Sequence, residues 1–243
     1  MQRIVIAPGL VLVPGPHEDV AVRVHVVALD VPLMERRRCA ALLSREERAR
    51  AARFRFAADR DRWIVGRGML RRILSLHGAG APERIAIADG RWGKPALSPP
   101  SALRFNLAHS GDHALVAVTR GREVGVDLER VRPLAGVMAV ARRSCTAVEL
   151  GRLAALLRRR RSEAFLRCWA RKEACVKALG VGLRQPLDTF EAGVESAARA
   201  GARTIVVPMD TDSSVVVVVD VALPTGWVGA VAVCDRVPSD GEI

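Results

Sequence analysis

The order of apolar and polar positions divides the chain into two kinds of stretch. Short runs rich in β-branched residues, such as Val22 to Leu29 and Val215 to Val221, predict strands, whereas Ser44 to Leu76 and Thr146 to Leu179 read as mainly helical. Ser44 followed by Glu47, and Thr146 followed by Glu149, have the spacing of a capping box and mark where each helical region begins. Leu76 to Asn106 is rich in Gly and Pro and predicts loops with one or two short strands. His113 to Thr119 and Glu123 to Leu128 predict the two strands of a hairpin turning at Arg120, Gly121 and Arg122. Each half therefore shows strands around a long arginine-bearing helical region, which predicts an α+β fold of two similar lobes, divided at residues 1–115 and 116–243.

Charge changes the picture next. With 243 residues, half of them apolar, the chain can bury a sizeable core, and its net charge of +12 points to an anionic partner. The excess is concentrated: Glu35 to Arg72 holds thirteen arginines against five acids. Aromatic residues make up 4% of the chain and Tyr is missing, so few rings are available to stack single-stranded bases. The five cysteines lack the paired short spacing that holds zinc and are expected to be buried thiols. The early apolar stretch is broken at once by Pro8 and Gly9, and no apolar run approaches membrane-spanning length, so a soluble, cytoplasmic protein is expected.

Three segments carry candidate chemistry. Asp127 and Glu129 stand two apart at the end of a predicted strand, so their side chains leave one face. Two carboxylates roughly 6 Å apart repel by about 3 kcal/mol at an effective dielectric near 20, a cost that a divalent cation reverses. A bare Asp-x-Glu is more often a pair of surface acids, and the pair gains weight only from its companions. Phe165 to Lys177, closed by Gly180, predicts a helix with a glycine stop. On a helical wheel Glu173 and Lys177 fall on the arc of Phe165, Leu166, Trp169, Ala170 and Val176, so an ion pair is expected on the inward face, where its desolvation cost calls for a functional reason. Finally, Gly93-Lys94-Pro95 fixes a lysine that can serve a phosphate, and Phe105 to Gly111 runs from a strand into a loop bearing His109 and Ser110.

Together and in this order, Gly93-Lys94-Pro95, Phe105 to Gly111, Gly125-Val-Asp127-Leu-Glu129 and Trp169 to Lys177 resemble the larger, surfactin-type branch of the 4'-phosphopantetheinyl transferases, over roughly residues 44 to 183. The resemblance implies a pseudo-two-fold α+β monomer with the site between its lobes. It implies Mg²⁺-dependent transfer of the phosphopantetheine arm of coenzyme A to a serine of an acyl or peptidyl carrier protein, with release of 3',5'-ADP. It further implies that Asp127, Glu129 and Glu173 hold Mg²⁺, that Glu173 takes the serine proton, and that Lys177 neutralises the phosphate under attack. Lys94 and His109 match positions that contact the nucleotide end of coenzyme A. Arg53-Phe54 with Asp59 and Arg62 resembles the family's basic N-terminal helical region, from which Arg48, Arg50 and Arg62 are expected to face the 3'-phosphate. The carrier protein is expected near Leu134 to Leu157, beside Arg142, Arg143 and Arg158 to Arg161.

Three positions depart from the family's pattern. Ala108 replaces the usual Ser, Glu47 stands where a basic residue is frequent, and Ala141 to Cys145 lacks an aromatic pair. Two competing functions, a basic nucleic-acid binder and a catalytically silent coenzyme A binder, leave the acids and the Glu173 and Lys177 pair without a purpose. Neither nucleic acid nor membrane is expected as a partner.

Overall fold

The computed structural model of the chain describes residues 5–15, 18–90, 93–196, 201–209 and 212–234, the side chains of 5–8 and 183 excepted. The elements run β1 (Val5–Val13), β2 (Val20–Ala28), α1 (Leu33–Ala41), α2 (Arg45–Ala52), α3 (Ala57–Leu76), β3 (Ile87–Asp89), β4 (Pro95–Leu97), β5 (Leu103–Ser110), β6 (His113–Arg120), β7 (Glu123–Arg130), α4 (Val137–Ala141), α5 (Ala147–Ala155), α6 (Arg158–Leu179), β8 (Arg203–Pro208), β9 (Ser213–Asp220) and β10 (Trp227–Cys234). Both expected capping boxes form: Ser44 accepts from the Glu47 N–H while Glu47 accepts from that of Ser44, and Thr146 and Glu149 do the same at α5.

Two four-stranded antiparallel sheets have the orders β1-β2-β6-β5 and β7-β10-β9-β8. Their connectivity repeats. A first strand (β2 or β7) leads through a long helix (α3 or α6) to a hairpin (β5-β6 or β9-β10) whose last strand pairs with the first. The fold is thus α+β with two topologically similar lobes.

Strand alternation explains how the lobes meet. In β6, Ala114, Val116 and Val118 pack under α3, while Leu115 and Ala117 join Val22, Val24, Val124, Val126, Leu128, Val231 and Val233 in a core shared by the two sheets. In β10, Ala230, Ala232 and Cys234 turn the other way, toward α6. Both faces of the central strands are buried, so they read as continuous apolar runs.

The hairpin expected from 113 to 128 is corrected. β6 and β7 both form, but β6 pairs with β2 and β5, and β7 with β10. The turn at Gly121 (φ 71°) joins two sheets instead of two partners, because each strand finds its apolar complement within its own lobe. The division expected between residues 115 and 116 falls inside β6, and the first sheet runs on to Arg120. All five cysteines are free and buried, as expected. No helix among the described residues is long and apolar enough to cross a membrane.

Candidate active site

β7 sorts its residues by parity. Val124, Val126 and Leu128 enter the core between the sheets, so Gly125, Asp127 and Glu129 face α6. Gly125 permits the approach: a Cβ there would lie 2.1 Å from the Ala174 carbonyl oxygen and 2.3 Å from the Ala178 nitrogen, so the α6 backbone rests on the strand. That contact puts Glu173 and Lys177, one turn apart, opposite the two carboxylates. Gly180 (φ 71°) ends α6 in the left-handed conformation that glycine adopts freely, its N–H donating to the Val176 carbonyl.

The Lys177 ammonium donates to Asp127 Oδ1 at 2.5 Å. Asp127 Oδ2 and Glu173 Oε1 are buried with no hydrogen-bonding partner. Burial raises the pKa of Asp127 against the opposing pull of Lys177; burial and then the neighbouring Asp127 raise that of Glu129; burial is again the main cause for Glu173, with Asp127 adding to it. Three acids thus share one electrostatic neighbourhood with one ammonium, and two of their oxygens lack a donor. Buried polar atoms seldom go unpaired, and hard oxygen donors left free in this way suit a divalent cation of the Mg²⁺ type.

The acids nevertheless do not close to within 4.8 Å of one another. Among the described residues the trio of His, Cys, Asp or Glu side chains that does so is Cys145, Glu149 and Cys168. There a cation is already present: Lys172 Nζ lies 2.6 Å from Glu149 Oε2, both side chains fully buried, and the N–H groups of Ala192, Gly193 and Thr146 complete the carboxylate's shell. This cluster ties α5 and the 190 loop to α6.

α6 itself differs from expectation. It is buried nearly all round: Ala164, Phe165, Leu166, Cys168, Ala170, Arg171, Lys172, Ala174, Cys175, Val176, Ala178 and Leu179 are all covered. Trp169, Glu173 and Lys177 form a half-open stripe, so the expected pair does not lie on the most buried face. The fully buried charges are Arg171 and Lys172. Arg171 grips Asp220 through two nitrogens at 2.7 and 2.6 Å and donates to the Gly193 carbonyl, while Lys172 also donates to the Leu187 and Phe190 carbonyls. Sequence reasoning assigned these two residues no role, because the partners that satisfy them, Asp220, Glu149 and the carbonyls of the loop after α6, lie elsewhere in the chain.

The remaining expected residues are distributed as follows. His109, exposed at the end of β5, is within electrostatic reach of Asp127. Arg62 is held in a two-point pair by Asp30 (2.9 and 3.0 Å), within the field of Asp112, so it belongs to the same end of the first sheet as His109. Lys94 is placed elsewhere: it binds Glu123 at 2.7 Å and the Ala178 carbonyl at 3.3 Å, capping the C-terminal end of α6 four residues along β7 from Asp127. Arg48 donates to the Leu43 carbonyl, and Arg50 lies 3.6 Å from Asp89 and over the Trp63 ring, so the contacts of neither reach the acids. Glu47 is buried against Arg67 and Arg71, which gives an acid a structural purpose there.

The chain matches two family models end to end, "4'-phosphopantetheinyl transferase, N-terminal" over residues 33–121 and "4'-phosphopantetheinyl transferase superfamily" over 123–232. It is 38% identical over 160 residues to the 4'-phosphopantetheinyl transferase HetI of Nostoc, covering 65% of this chain and 68% of that one. With the Bacillus pumilus 4'-phosphopantetheinyl transferase psf-1 it shares 32% identity over 200 residues, 82% of each chain. With the Sfp protein of Bacillus subtilis the identity is 27% over 170 residues, 69% of this chain and 75% of that one. On these matches the chain belongs to the 4'-phosphopantetheinyl transferase superfamily.

Proposed function

We propose that this protein transfers the 4'-phosphopantetheine arm of coenzyme A to a serine of an acyl or peptidyl carrier protein, with Mg²⁺ held by Asp127, Glu129 and Glu173. The observation that carries the reading is the pair of buried, partnerless oxygens, Asp127 Oδ2 and Glu173 Oε1, beside the Lys177 ammonium. Bound Mg²⁺ would supply positive charge to the diphosphate of coenzyme A. The chain's own groups do the rest. Glu173, its pKa raised by burial, accepts the proton of the serine hydroxyl as that oxygen forms a bond to the pantetheine-side phosphorus. The bond from this phosphorus to the bridging oxygen breaks, and 3',5'-ADP leaves. Lys177 stabilises charge on the phosphoryl oxygens, in keeping with a reaction governed by positioning and charge.

Arg62 and His109 are assigned to the nucleotide end, with Arg48, Arg50 and Lys94 as outer contributors; Lys94 can do so only while sharing its ammonium with Glu123. The carrier protein is assigned to the surface of α4, α5 and the start of α6. Val140, Val148 and Leu157 are 45%, 48% and 56% exposed there, beside exposed Arg142, Arg143 and Arg158 to Arg160. A monomer acting in the cytoplasm fits these assignments. The test is mass spectrometry of purified apo carrier proteins incubated with the protein, Mg²⁺ and coenzyme A. Transfer adds about 340 Da and requires both additions, whereas a silent binder leaves every carrier mass unchanged.

A further inference from the structure

β5 is the edge of the first sheet and β7 the edge of the second, and the two run side by side without a backbone ladder between them. Side chains bridge the seam instead. Asn106 Oδ1 accepts from the Val126 N–H at 2.9 Å, and Ser110 Oγ accepts from the Arg130 N–H at 3.1 Å. Acceptors four residues apart on β5 thus serve donors four residues apart on β7, a parallel register at a constant offset. Asn106 is 4% exposed in the middle of a strand, where an unpaired amide would be costly. Ser110 does two things at once, since its hydroxyl also donates to Glu129 Oε2 at 3.2 Å. Between them, Ala108 has no polar atom to offer, and the Leu128 N–H supports the charge on Asp127.

We infer that Ser110 is a positioning residue: it fixes the Glu129 carboxylate against β7 and, with Asn106, sets the carboxylate-bearing strand in register with the first lobe. The chemistry is that of a hydroxyl pinned by a backbone N–H so that its own proton has one direction left to point. Without the Ser110 hydroxyl on its Oε2, Glu129 can turn away from Asp127 and Glu173. The inference rests on the reading of these acids as cation ligands.

Two measurements test it. In the first, Mg²⁺ binding to the whole protein is followed by calorimetry for the wild type, Ser110→Ala, Ser110→Thr, Glu129→Gln and the Ser110→Ala/Glu129→Gln double variant. Ser110→Ala should weaken Mg²⁺ on the order of tenfold or more, Ser110→Thr should restore it, and the double variant should bind no worse than Glu129→Gln alone. A purely structural serine would lower the melting temperature and leave Mg²⁺ affinity unchanged, and strict additivity in the double variant would equally overturn the inference. The second needs no metal: amide hydrogen exchange at Arg130 should accelerate in Ser110→Ala, and at Val126 in Asn106→Leu, while the centre of β10 stays protected. Unchanged exchange at both amides removes the seam. A wild type that binds no Mg²⁺ would refute the cation site itself while leaving the exchange result to judge the seam.

Discussion

Gly125→Ala isolates the contact on which the geometry of the site depends. The added methyl would sit 2.1 Å from the Ala174 carbonyl oxygen and 2.3 Å from the Ala178 nitrogen, where real Cβ contacts do not fall below 3.0 Å. Both obstacles are helix backbone, so no side chain can swing aside, and α6 must move off β7 by about 1 Å, a displacement that by itself can cost about 100-fold in rate when it misplaces reacting groups. Glu173 and Lys177 ride on that helix, and Asp127 does not. Overpacking of this kind costs about 1–3 kcal/mol, which for a chain of this size lowers the melting temperature by about 2–12 °C. Transfer should be measured by carrier-protein mass shift at 20 °C, well below the transition, beside a calorimetric melting curve. Turnover should fall about 100-fold or more while the protein stays folded. A variant that melts lower yet turns over normally would show that α6 can shift without disturbing the chemistry, and the positional argument would fail.

Other outcomes follow from individual side chains. Asp127→Ala and Glu173→Gln should each lower turnover by several orders of magnitude in a folded protein, and Lys177→Ala should lower kcat more than it changes the KM for coenzyme A, as steady-state kinetics would register. Arg62→Ala should act the other way, raising that KM with a smaller effect on kcat. Lys172→Met strands the Glu149 carboxylate in a dry cluster, so urea unfolding should report a loss of about 3–5 kcal/mol, partly recovered in the Lys172→Met/Glu149→Leu double variant. Burial, then His77 and Arg23, push the pKa of His25 down from 6.5 to about 4. The folded state therefore binds fewer protons than the unfolded one between those values, and its stability is complete above pH 6.5 and falls as the pH drops toward 4. The step is about 3 kcal/mol at most and should shrink in His25→Leu when urea unfolding is compared across that range.

Much of the fold could be read from local chemistry. Capping boxes announced α2 and α5, because their side chains satisfy backbone donors within three residues and need no tertiary partner. Gly180 marked the end of α6 for the same local reason. Pairing was a different matter. The stretch from His113 to Leu128 carries a turn between two apolar runs, which is what a hairpin looks like, yet β6 pairs with the preceding β5 and the remote β2, and β7 with the remote β10, as the packing of each lobe requires. The positions of Lys94 and Arg50 depended likewise on remote acids, Glu123 and Asp89, that no spacing rule connects to them.

The helix α6 shows why the sequence reached the site by an uneven path. Glu173 and Lys177 drew attention as charges on an apolar arc, but from Ala164 onward the helix is buried on nearly every face, so that arc is not its most buried one. Arg171 and Lys172, adjacent in sequence and fully buried, spend every hydrogen bond on Asp220, Glu149 and loop carbonyls. Glu173, the next residue, keeps one buried oxygen with no bond at all. The contrast separates structure from chemistry: a buried charge that is saturated anchors the helix, and one left unsatisfied is available to a ligand. Burial alone could not have told the two apart, since it is greater for the anchors than for Glu173. What distinguishes them is the count of partners, and that count depends on β7, β9 and the 190 loop arriving around α6 in three dimensions.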